Sequence, residues 1–158
     1  MRLPPPGDQE EFYGQLLKVC RSPAENACIM LLWRTGMHAS TLCSAHWWRG
    51  PERTIIWRRP KTGKQLAATI TNADCILLAK CRAGGHLPTS VRTLERWVQR
   101  VGERAGYPGL CPLTLRHSRA IFLLDKGLAV NRVASLLGCS YGVLEKHYAQ
   151  IEAARLVI

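Results

Sequence analysis

Between positions 54 and 70 the sequence reads TIIWRRPKTGKQLAATI, and this stretch limits the folds open to the chain more than any other. Two β-rich runs, Thr54 to Arg58 and Gln65 to Ile70, flank a Pro-Lys-Thr-Gly turn, the pattern of a hairpin with a basic tip. Elsewhere apolar residues recur at helical spacing. Positions 12, 13, 16, 17 and 20 mark a helix from Gln9 to Cys20, and Pro23 opens a second that ends at Gly36. A short helix is expected over about Ala39 to Ala45. After the hairpin, helices are expected from Asn72 to about Arg82 and from a cap at Thr89 or Ser90 through VRTLERWVQRVGERAG. Three more follow: one that stops at Gly127, one over VNRVASLLG and one over VLEKHYAQIEAARLVI. The class is mainly α with a small antiparallel β-sheet. At 158 residues the chain reads as a single domain, 1–158, with a flexible start (1–8) and a last helix (149–158) that could oligomerise.

Several function classes drop out. The longest uncharged apolar run, Ala27 to Trp33, falls far short of the ~20 residues that cross a membrane. The start, MRLPPPGDQEEF, has one positive charge and then prolines and acids, which is not a signal peptide, so a cytoplasmic protein is expected. Seven cysteines (20, 28, 43, 75, 81, 111 and 139) contain no Cys-x-x-Cys pair, so neither a zinc ribbon nor a disulfide framework is indicated. They read as small buried hydrophobes. No cofactor and no metal is expected.

Charge points the other way. Lys and Arg number 22 against 11 acids, for a net +11 and a pI near 9.8. Arginine dominates, which suits bidentate contact with phosphates and guanine edges. Such an excess suggests nucleic acid, although a ribosome-associated or membrane-surface protein could share it. Patterning sharpens the suggestion. In the helix after Ser90, Val91, Leu94, Trp97, Val98, Val101 and Ala105 form an apolar face, while Arg92, Arg96, Arg100 and Arg104 fall four apart on the other side. That stripe reads as a nucleic-acid face in preference to a solvated one, because only Glu103 dilutes its C-terminal half.

Four segments, taken in order, resemble the catalytic domain of tyrosine recombinases, the phage-integrase family, over nearly the whole chain. LLWRTGMHASTL is similar to that family's helix, Thr-Gly turn and arginine-bearing helix, and WRRPKTGKQ to its lysine-tipped hairpin. LTLRHSRAIFLLDKG resembles the His-x-Leu-Arg-His segment. VASLLGCSYGVLEKHY resembles the Leu-Gly-His turn, with a tyrosine nine residues after the histidine's position. The resemblance implies a chemistry in which a tyrosine hydroxyl attacks a DNA phosphate, two arginines hold its oxygens, a hairpin lysine protonates the leaving oxygen and histidines move protons. Three members are in place: Lys61, Arg116 as second arginine, and Tyr148 as nucleophile. Three are replaced: His38 stands at the first arginine, Leu113 at the histidine before Arg116, and Cys139 at the histidine after Leu-Gly.

These losses favour a degenerate site. Removing one preorganised donor costs ~10²–10³ in rate, and losing acid–base help roughly 10² more. Arg34 or His117 could stand in, so the catalytic set, if active, would be Tyr148, Arg116, Lys61, His38 and His117. His38, Cys139 and His117 could also gather in one pocket, but without ordered spacing they make a poor metal site. Family members carry an N-terminal helical domain on the far side of the DNA, and with Met1 only a few residues before the first catalytic-domain helix that half of the clamp is expected to be missing. What the resemblance leaves is a DNA-reading surface. Arg92, at the first turn of its helix, is expected to reach a guanine edge with Arg96 or Arg100 nearby. Lys61 and Lys64 suit phosphate or minor-groove contact, and Arg116, Arg119 and Arg132 backbone contact. Trp33, Trp47, Trp48, Trp57 and Trp97 read as packing, unless Trp47 and Trp48 are exposed to a partner. The tail, with Ile151, Leu156, Val157 and Ile158, could dock on its own core or make a homodimer.

The expectation is therefore a sequence-specific double-stranded DNA-binding protein on a degenerate tyrosine-recombinase fold, a transcriptional regulator of a mobile element such as a plasmid or phage. The alternatives are an active divergent recombinase that forms a phosphotyrosine through Tyr148, and an assembly subunit that joins a full recombinase.

Overall fold

A computed structural model describes residues 3–84, 87–138, 142, 144–146 and 149. The elements run α1 Gln9–Lys18, α2 Pro23–Thr35, α3 Ala39–Leu42, β1 Trp47–Arg49, β2 Thr54–Arg58, β3 Gln65–Thr69, α4 Asn72–Gly84, α5 Val91–Ala105, α6 Pro112–Asp125 and α7 Val130–Leu137. Polar caps set the first two starts. Asp8 Oδ1 accepts from the Glu10 and Glu11 amides, and Ser22 Oγ accepts from Glu25 ahead of Pro23. The segment before α1 is tied down as well: Pro4 is buried, and the Gln9 side-chain amide donates to the Pro5 and Gly7 carbonyls.

Helix α2 is the axis of the fold. Every residue from Ala27 to Trp33 is buried, which requires partners all round, and α1, α4, α5 and α6 supply them. Trp33 stacks flat on Tyr13 at 4.3 Å, and its indole N–H donates to Ser118 Oγ at 2.9 Å. Ser118 in turn donates to Gln9 Oε1 at 2.7 Å, so the buried polar atoms satisfy one another across three helices. A satellite cluster of Ala120, Val133, Ala134, Leu137 and Leu144 seats α7 on α6.

The hairpin lies where it was expected, but it belongs to a three-stranded antiparallel sheet of order β1-β2-β3. Trp47 pairs with Trp57 and Trp48 with Ile56. The extra strand is only three residues long, too short to show alternation in the sequence. It also shortens α3. The expected helix to Ala45 stops at Leu42, whose carbonyl accepts from the Trp47 indole at 2.8 Å as the chain turns into the sheet. Trp47 and Trp48 are half-buried in that pairing, in line with the packing role expected of them.

Helix α5 buries Leu94, Val98, Val101 and Gly102 and leaves Arg92, Arg96 and Arg100 exposed. Gly102 has a steric reason to be glycine. A Cβ there would lie 2.4 Å from Leu110 Cβ and 2.6 Å from the Tyr107 carbonyl oxygen. Gly102→Ala should gain ~1 kcal/mol of helix propensity yet lose more to overpacking, for a net cost of about 1–2 kcal/mol. Thermal denaturation followed by circular dichroism should show Tm falling by roughly 3–8 °C; an increase would mean that the α5–Leu110 contact yields freely.

Candidate nucleic-acid interface

The turn after α2 organises the site. Gly36 caps the helix in the left-handed conformation (φ 67°), and its carbonyl accepts a hydrogen bond from Arg116 Nη1 on α6. A side chain at position 36 would strike Leu137 Cδ2 at 2.5 Å and approach Arg116 Cγ at 3.9 Å. Two residues on, His38 stands at the N-cap of α3. One tight turn therefore brings His38 and Arg116 into the same open cleft of about 220 Å³, lined also by Met37, Ala39, Glu95, Cys111, Pro112 and Leu113.

The hairpin supplies further positive charge. His38 is exposed overall, but the protein packed around it and the positive charges of Arg116, Arg59 and Lys61 hold its imidazole below the usual histidine range. That shift favours the neutral ring, which offers a single N–H where an arginine would present a charged fork. Leu113, exposed at the cleft, brings no donor or acceptor. Besides Arg116, the ionisable side chains that line the cleft are His38, Glu95 and Cys111.

Of the residues singled out in the sequence, His38, Leu113 and Arg116 line the cleft and Lys61 acts on it through its charge, whereas others do not. His117, the residue after Arg116, is buried and does not line the cleft; consecutive helical residues point about 100° apart. Arg34, offered as a stand-in, is bonded to Asp74 at 3.0 Å and borders a different cavity. Arg119 borders that second cavity as well. Its guanidinium lies 4.9 Å from the Trp33 ring centroid and 4.8 Å from Phe122, and burial pushes its pKa down to about 10. Arg119 is half-buried in that packing. Arg104 leaves the α5 stripe to pair with Glu25. Arg92, Arg96, Arg100, Lys61, Lys64 and Arg132 are exposed. Cys139, Tyr148, Ile151, Leu156, Val157 and Ile158 lie outside the described residues.

Two residues of the cleft region were missed in the sequence. Glu95 lines it, flanked on α5 by Arg92 and Arg96, so the arginine stripe begins beside the cleft and is interrupted there by an acid. Arg59 is the other. The two-residue alternation that buries Ile55 and Trp57 continues to it, and that period was the available signal.

No protein-family model matches the chain, and no curated protein matches it in sequence. Solved structures do match. XerA recombinase superposes with a TM-score of 0.74 at 19% identity, covering 93% of this chain and 61% of that one. XerH site-specific recombinase bound to difH substrate, a pre-cleavage complex, gives 0.71 at 18%, covering 99% of this chain and 54% of that one. The lambda integrase catalytic core gives 0.61 at 21%, covering 81% of this chain and 88% of that one. The fold is that of a tyrosine-recombinase catalytic domain, and the chain spans little more than half the length of the two Xer proteins.

The neutral state of His38 can be measured directly. Its imidazole should titrate by NMR with a midpoint below 6.5. Because the folded state binds this proton less readily than the unfolded chain, stability should decline as pH falls below about 6.5. His38→Gln should remove that share of the decline. A midpoint at or above 6.5 would mean that neither burial nor the nearby positive charges act on the ring.

Proposed function

We propose that this protein binds a specific double-stranded DNA sequence and uses a tyrosine-recombinase fold for grip without strand cleavage. The observation that carries this reading is the lining of the cleft: Arg116 is kept, with Lys61 on the hairpin, while Leu113 and His38 stand where the family holds a proton carrier and an arginine. A transition state deprived of one preorganised donor is slowed ~10²–10³-fold, and missing acid–base help adds roughly 10². Positive charge sufficient for binding remains beside an exposed arginine helix. Among the solved structures of this fold, XerH is bound to difH substrate and a lambda integrase dimer to a COC′ core site, which supports duplex DNA as the partner.

In this reading Arg92 reads a guanine edge, with Arg96 and Arg100 following along the duplex. Lys61 and Lys64 at the hairpin tip hold phosphates, as does Arg132 on α7. The role is transcriptional regulation of a mobile element, in the cytoplasm, by a homodimer joined through the last helix and matched to an inverted repeat. A second reading, an active divergent recombinase using Tyr148, is favoured by an additional arginine, Arg59, whose charge acts on His38.

Genome-wide chromatin immunoprecipitation with Tyr148→Phe and Arg92→Ala separates the two. Promoter peaks should survive the tyrosine change and disappear with the arginine change, which should cost ~1–3 kcal/mol of sequence discrimination in solution. A covalent adduct on a nicked suicide duplex that Tyr148→Phe abolishes would replace the first reading with the second.

A further inference from the structure

We propose that the second cavity, about 280 Å³ and set between the sheet, α2, α6 and α7, is a binding site for a small organic carboxylate with an apolar body. It shares no lining residue with the cleft and uses none of the side chains assigned to DNA above. Two guanidiniums reach it. Arg34 and Arg119 both border the cavity, and their guanidinium carbons lie 5.3 and 4.9 Å from the Trp33 ring centroid. Arg34 is matched by a carboxylate, since its Nε donates to Asp74 at 3.0 Å.

Arg119 is held differently. Neither ion pair found among the described residues includes it, and its Nη1 is buried with no hydrogen-bond partner there. Glu10 acts on it through its charge, but that residue is exposed on α1 and does not line the cavity. The Trp33 and Phe122 rings offset part of the cost of burying the cation, yet an aromatic face is a weak substitute for an oxygen acceptor. A buried donor left without an acceptor favours any ligand that brings one. Two guanidiniums beside the single carboxylate of Asp74 make a negatively charged acceptor better than a neutral one.

The remaining walls set the ligand's other end. Trp57, Leu123, Leu136 and Leu137 are apolar, and Thr35 Oγ1 is already bonded to the Leu31 carbonyl and the Met37 amide. An inorganic anion would leave these walls facing water, whereas an aryl or branched alkyl carboxylate covers them and reaches the arginines. The space suits such a molecule, since ~150 Å³ is enough to hold benzene.

The test is an NMR titration of the full chain at neutral pH with benzoate and with benzamide, its neutral counterpart of the same shape. Benzoate should bind saturably and shift the Arg119 Nε–H signal, and benzamide should bind roughly tenfold more weakly or not at all. Ala67→Trp adds bulk at an exposed β3 position that lines the cavity, and should weaken benzoate by about tenfold or more with the circular dichroism spectrum unchanged. Arg119→Gln should do the same, and Ala67→Trp carries the test if that variant fails to fold. If Arg119 serves packing alone, benzoate gives no saturable shift in wild type, which would overturn the site. Binding that persists in folded Ala67→Trp and Arg119→Gln would also overturn it, by placing benzoate elsewhere. Equal affinity for benzamide would overturn the carboxylate as the ligand class.

Discussion

The hydrogen bond from Arg116 to the Gly36 carbonyl is the interaction on which the site depends. Arg116 is buried, and a buried guanidinium must find acceptors. The last carbonyls of a helix lack partners within the helix and carry partial negative charge, so the end of α2 is a natural place for it. Gly36 makes the approach possible, since Leu137 occupies the space of any side chain there. The same turn delivers His38 to the cleft. An arginine at position 116 is therefore explained by the fold itself, and its presence alone is no argument for phosphate chemistry.

The same reasoning qualifies the charge of +11. Arg34 is bonded to Asp74, Arg104 to Glu25, Arg116 to Gly36, and Arg119 lies over two aromatic rings. Each is placed by packing around α2 as much as by any ligand. The aromatic faces offer Arg119 a partial substitute for water, consistent with its lowered pKa. The arginines and lysines left at the surface are fewer than the composition suggests, and Arg92, Arg96, Lys61 and Arg59 lie at or near one cleft.

Much of the fold was legible because its signals are local. Pro23 and Gly36 bracket α2, the apolar period of 91–105 gives α5, and the Pro-Lys-Thr-Gly turn gives the hairpin. Strand β1 was not legible, since three residues hold their conformation only by pairing Trp47 and Trp48 with β2. Arg59 and Glu95 were missed for a related reason. Each stands in a run of charged residues, and only the neighbouring elements reveal which of them face inward.

By itself the sequence determined most of the helices, the hairpin and three residues of the cleft, His38, Arg116 and the Leu113 that cannot carry a proton. These follow from periodicity, caps and turn residues, all set by neighbours within a few positions. Tertiary structure decided which arginines serve the core and which the cleft. It also decided that burial and neighbouring positive charge lower the pKa of His38 and that Arg59 lies against the end of α7 at Gly138. Those outcomes depend on α2, α6, α7 and the hairpin meeting at Gly36 and Gly138, where chain segments up to about a hundred residues apart touch. Charge and burial act through space, and sequence spacing does not record that distance.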